Sequence, residues 1–122
     1  MLHSFAKQSN EGLVEAFAIA AREQGEALRD GNPKKANRRT ELIDRTFAES
    51  RGRGRESWQQ FLLLLNHPES YVRYFAAIYA LRSNSDIAIP VLERLDQEER
   101  GLLAFRAGHA LELWRAGAWR LP

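Results

Sequence analysis

The densest chemistry in the chain is an alternating run, Arg51-Gly52-Arg53-Gly54-Arg55. Guanidinium groups grip carboxylates and phosphates through paired N–H donors, and glycine lets a backbone approach closely, so the run suits an anionic partner. Lys34, Lys35, Arg38 and Arg39 lie upstream and share its sign. No phosphate-loop spacing accompanies them, so a solvated connector is the competing reading. His3, His67 and His109 are far apart and lack helical pair spacing; holding a metal would require the fold to gather them with a carboxylate. His67, before Pro68, reads as a cap for the next helix, and His109 as a packing or surface residue. Glu98 and Glu99 are adjacent, and adjacent residues do not face one another on a helix, so they make no acid–base pair. No serine or threonine sits in a nucleophile-elbow or lysine-paired motif. Cysteine is absent, which removes thiol nucleophiles, disulfides and thiolate-held metals. No catalytic residue, metal or cofactor is therefore expected.

The frame for these residues is small. A chain of 122 residues, 44% hydrophobic, has the material for one globular domain and little for separate cofactor and substrate domains. Charge is nearly balanced, 18 bases against 16 acids, but unevenly spread. Residues 34–55 carry eight bases and three acids, whereas residues 1–33 carry three and five, and residues 56–122 seven and eight. An anionic partner would thus meet one local patch rather than a generally basic surface. No apolar stretch is long enough for a signal h-region or a membrane span, which makes a cytoplasmic protein without membrane contact the expectation.

Ala, Leu, Arg, Glu and Gln dominate, β-branched residues are sparse, and strict alternation is missing, so the chain reads as all-α. Six helices are expected, over about 11–30, 34–49, 56–65, 68–82, 85–97 and 100–116. Gly31 ends the first, Asn32-Pro33 opens the second, and the arginine-glycine run links the second to the third. Phe61-Leu62-Leu63-Leu64-Leu65 puts apolar groups on every side of the third helix, which should lie centrally. The fourth has two apolar stripes; Tyr79 is expected inside and Tyr74 on a flank open to a partner. Pro90 is expected in the first turn of the fifth helix. In the sixth, Leu103, Ala107, Ala110, Leu111 and Trp114 form the inward stripe, and Trp119 and Leu121 come after it in a tail that folds back.

Shifted by thirty residues, the sequence matches itself. Phe61 meets Val91, Leu62 meets Leu92, Leu65 meets Leu95, Asn66 meets Asp96, Val72 meets Leu102, Ala77 meets Ala107, Ala80 meets Ala110 and Leu81 meets Leu111. Each copy is a two-helix hairpin with small residues where backbones approach.

The segment Leu63-Leu64-Leu65-Asn66-His67-Pro68-Glu69-Ser70-Tyr71-Val72-Arg73-Tyr74-Phe75-Ala76-Ala77 resembles the short HEAT-like repeat: an apolar helix, an Asp/Asn turn and a Val-Arg-x-x-Ala-Ala helix. The resemblance covers residues 56–116 and extends to small bacterial HEAT-like domains of unassigned activity. In the second copy Leu102-Leu103 replaces Val72-Arg73, and Gly108-His109 falls within the helix. The resemblance implies one domain over 1–122, with a helical pair over 1–50 and two hairpins over 56–116 stacked as a short α-solenoid. It also implies a protein-binding role, most specifically an immunity-type inhibitor that neutralises a toxin or effector. The partner-binding residues expected are Arg51, Arg53, Arg55, Arg73, Tyr74, Lys34, Lys35 and Arg38. Arg73 has a structural alternative, bridging to Asn66 or Asp96. Two other roles fit the resemblance: a nucleic-acid-binding module using the basic 34–55 segment, and an adaptor or chromophore lyase. Partner identity and oligomeric state are left open by the sequence.

Overall fold

The computed structural model describes residues 5–122, and the described residues form six α-helices and no strand. They are α1 (Asn10–Arg29), α2 (Pro33–Gly52), α3 (Arg55–Leu62), α4 (Ser70–Ala80), α5 (Ser85–Glu98) and α6 (Gly101–Arg115), with a 3-10 turn at Leu63–Asn66 after α3. The chain divides into two compact units, Met1–Leu64 and Leu65–Pro122.

In the first unit α1 and α2 form an antiparallel hairpin. Ser9 Oγ accepts the Gly12 N–H to cap α1, and Asn32 Oδ1 accepts the Lys35 N–H to cap α2. Between them Gly31 takes φ +73°, a left-handed conformation that glycine adopts without a Cβ clash, and Pro33 supplies the first helical φ of α2. Leu13, Phe17 and Ala21 from α1 and Ile43 and Phe47 from α2 face inward and are buried. α3 closes this core. Phe61 is wholly buried, edge-on to Phe17 at 4.9 Å and to Phe47 at 5.8 Å, and stacked on Trp58 at 4.8 Å. Burying one such ring contributes about 1.5–3 kcal/mol, and the aromatic pairs add to it.

The second unit holds α4, α5 and α6. Eight of the eleven residues of α4 are buried, Tyr79 among them. Leu92 and Leu95 of α5 and Leu103, Ala107, Ala110 and Leu111 of α6 are buried as well. Gly108 marks a close helix approach: a Cβ there would lie 2.9 Å from Asp96 Oδ1. Four repeat-related pairs share a buried environment, Leu65 with Leu95, Ala77 with Ala107, Ala80 with Ala110 and Leu81 with Leu111.

Three local expectations are corrected. α2 continues through Arg51 and Gly52, leaving only Arg53 and Gly54 as a break before α3, because the Arg53 N–H still bonds to the Glu49 carbonyl and Gly54 alone leaves helical space, at φ +100°. The apolar run after Phe61 is not buried on every side: α3 ends at Leu62, the tighter turn swings Leu63 outward, and its side chain is 68% exposed. Pro90 is the sixth residue of α5, past its first turn, where the ring removes an N–H that would have bonded to the Asp86 carbonyl; Asp86 and Pro90 are both exposed.

Candidate interaction surface

The basic residues expected to act together are parted by the helix that carries them. Lys34 and Arg38 are exposed, and Lys35 half-exposed, at the N-terminal end of α2, whereas Arg51 and Arg55 are exposed at and beyond its C-terminal end. At 1.5 Å per residue, Lys34 and Arg51 are about 25 Å apart along the axis. Between them, the exposed Glu41 and Asp44 put negative charge on the same helix. Arg39 is used internally, its Nε bonding to Glu23 Oε1 at 2.8 Å across the α1–α2 hairpin. Arg51 lies over the Trp58 ring at 4.5 Å, a cation–π contact that covers the aromatic cluster.

Arg53 is the most heavily engaged of the set. Its side chain is only 20% exposed; Nε donates to Glu49 Oε2 at 2.9 Å, Nη1 to Asn10 Oδ1 at 3.1 Å, and Nη2 to the carbonyls of Phe5 and Ala6 at 2.8 and 3.2 Å. The guanidinium ties the segment before α1 to the end of α2, which leaves it little capacity for a ligand.

Arg73 also turns inward on its own loop. Nη1 donates to the carbonyls of His67 and Pro68 at 2.7 and 3.0 Å, and Nη2 to Ser70 Oγ at 3.1 Å. These bonds, rather than a bridge to Asn66 or Asp96, fix the turn before α4. His67 Nδ1 accepts the Glu69 N–H at 3.0 Å, so the imidazole also shapes that turn, and α4 begins at Ser70 instead of Pro68. Beside it, Leu65, Ile87, Pro90, Val91 and Leu95 line a groove of about 270 Å³ with Arg73, Asp86 and Arg94 among its polar walls.

Tyr74 is not on an open flank: it is 7% exposed. The Arg106 guanidinium lies 4.8 Å over its ring and 5.2 Å over that of Phe75, a partner thirty-two residues away that closes the surface. Burial pushes the Tyr74 hydroxyl above its usual 10.0, while the Arg106 charge pulls in the opposite direction and is the weaker effect.

An apolar face open to solvent lies instead on α6. Leu102 is 46% exposed and Phe105 69% exposed, three positions apart and so on one face. His109, one further turn along and exposed, stacks parallel to Phe105 with 6.0 Å between ring centroids. The expected inward stripe of α6 left out Leu102 and Phe105, and that exclusion was the sequence signal for a second face. Among the described residues, no group of three His, Asp or Glu side chains is placed to hold a metal, and no helix is long and apolar enough to cross a membrane. His3 lies outside the described residues.

Over its whole length this fold has a solved counterpart. The chain is similar to protein RPA1889 from Rhodopseudomonas palustris CGA009. The crystal structure of that protein superposes with a TM-score of 0.89 at 24% sequence identity, covering 99% of this chain and 100% of that one. At this identity the likeness establishes a shared helical fold and carries no activity across. No model of a known protein family matches the chain, and no curated protein matches it.

Proposed function

We propose that the chain is a non-enzymatic helical-repeat domain that binds another protein. The observation that carries this reading is the Leu102–Phe105 face of α6, with Phe105 69% exposed and His109 stacked beside it. A helix with a buried stripe of Leu103, Ala107, Ala110 and Leu111 has met its core's needs; a second apolar face held in water gains its burial from a partner. Large aromatic side chains set in a polar rim are the usual anchors of such contacts.

The specific role we propose is an immunity-type inhibitor that neutralises a toxin or effector in the cytoplasm. The resemblance of residues 63–77 to the short HEAT-like repeat supports it. The test is capture from native lysate on immobilised wild-type protein and on Phe105→Glu, followed by co-expression of the captured protein to score toxicity. A partner held by wild type and lost by the variant, at unchanged circular dichroism, is expected, with wild type alone relieving toxicity. Equal capture by the variant rejects this surface. A captured partner that is harmless to cells rejects the immunity role and leaves the binding role standing.

A further inference from the structure

The C-terminal segment after α6 forms a strap across the second unit. Gly117, at φ +73°, turns the chain back, and Arg82 pins the returning backbone: Nη2 donates to the Trp119 carbonyl at 2.8 Å and Nε to the Leu121 carbonyl at 3.1 Å. Between strap and helices runs a groove of about 390 Å³, walled by Tyr74 and Ile78 of α4, Leu113 of α6, and Trp119, Arg120 and Leu121 of the strap. That volume lies in the range of small-molecule sites, and the walls are mostly hydrocarbon and aromatic.

Two polar groups on residues that wall this groove point to the same kind of occupant once the strap edge shifts. The Trp119 Nε1–H is buried with no acceptor among the described residues, an arrangement that costs the desolvation of a donor and returns nothing. Arg120 is exposed and makes no ion pair or hydrogen bond among the described residues. An orphan donor and a free cation, set on apolar walls, call for one acceptor that carries negative charge on a hydrocarbon body. From this we propose that the groove beneath the strap binds a free, small apolar monocarboxylate, its tail against Ile78, Leu113 and Leu121 and its carboxylate toward Arg120 and the Trp119 indole.

Because the indole N–H is shut off from solvent in the closed strap, binding requires the strap edge to shift. The exposed Arg82 clamps that edge through two hydrogen bonds to its backbone carbonyls, so a small shift breaks few contacts. The site is independent of the Leu102–Phe105 face: Leu102 and Leu113 are about 16 Å apart along α6. Its success or failure leaves the protein-binding reading untouched.

Proton–nitrogen correlation spectra of the full chain test the proposal, since its three tryptophans give three indole N–H signals and Trp119→Phe assigns the relevant one by its loss. Octanoate is expected to move the Trp119 signal downfield, saturably and one-to-one, while the Trp58 and Trp114 signals stay in place. Acetate, with charge and no tail, and octylammonium, with tail and opposite charge, are expected to leave it unmoved. By calorimetry, Arg120→Ala and Trp119→Phe, which keeps an aromatic ring, should each weaken octanoate binding roughly tenfold or more. A silent Trp119 signal, equal movement of all three indoles, an equal response to octylammonium, or undiminished octanoate binding by both variants overturns it.

Discussion

The two units use similar helices to opposite ends. In the first, the aromatic side chains Phe17, Phe47, Trp58 and Phe61 converge on one another, and three arginines are engaged within the unit: Arg51 covers Trp58, Arg39 pairs with Glu23, and Arg53 binds the segment before α1. In the second, α6 divides its apolar residues between core and solvent, and a groove remains open beneath the C-terminal strap. Of the residues expected to bind, Arg53 and Arg73 are engaged within the fold and Tyr74 is buried, whereas Leu102 and Phe105, outside the expected inward stripe, are exposed. An arginine is free to bind a partner only when its donors are unspent, and here Arg53 and Arg73 spend theirs largely on backbone carbonyls.

That contrast can be broken most severely in the first core. Phe61→Ala should destabilise the protein by about 3–5 kcal/mol, read from chemical denaturation, because it removes the ring on which three aromatics meet. A loss below about 1 kcal/mol would show a core far looser than the contacts describe. Next in size is Arg53→Glu, which removes the guanidinium donors from the Phe5 and Ala6 carbonyls, leaves the Phe5 carbonyl its bond from the Gln8 N–H, and sets a carboxylate against Glu49. A loss of about 2 kcal/mol or more is expected, with amide exchange accelerated over residues 5–12. A fully stable Arg53→Glu that merely lost a ligand would return Arg53 to the binding residues.

A smaller effect separates Tyr74 from an exposed tyrosine. Its raised hydroxyl means that the folded state holds the proton more tightly than the unfolded state, so stability falls as pH climbs past 10. The melting temperature of wild type should drop between pH 9 and 11 by more than that of Tyr74→Phe; parallel curves would place the hydroxyl in water. The smallest stability effect belongs to Phe105→Ala, within about 0.5 kcal/mol of wild type, since the ring is solvated already. A larger loss would make Phe105 part of the core.

Much of the fold was legible because helix punctuation is local. Gly31 and Asn32-Pro33 placed the end of α1 and the start of α2 to within a residue, the inward stripe marked α6, and the thirty-residue repeat paired Ala77 with Ala107 and Leu81 with Leu111 correctly in burial. The errors fell where a distant group decides a local matter. Arg51-Gly52 stays helical although the composition there is costly for a helix, and Arg53 anchors the turn through atoms more than forty residues away. Tyr74 is buried under Arg106, which no periodicity relates to it. The basic residues do not form one patch for a simpler reason: Lys34 and Arg51 are about 25 Å apart along α2.

Partner binding through α6, and not through the basic segment, is open to direct test by hydrogen–deuterium exchange of the chain, alone and with its captured partner. Slowed exchange over residues 101–109, with residues 34–38 and 51–55 unchanged, is the predicted result; slowed exchange over the basic residues with α6 unaltered would contradict it.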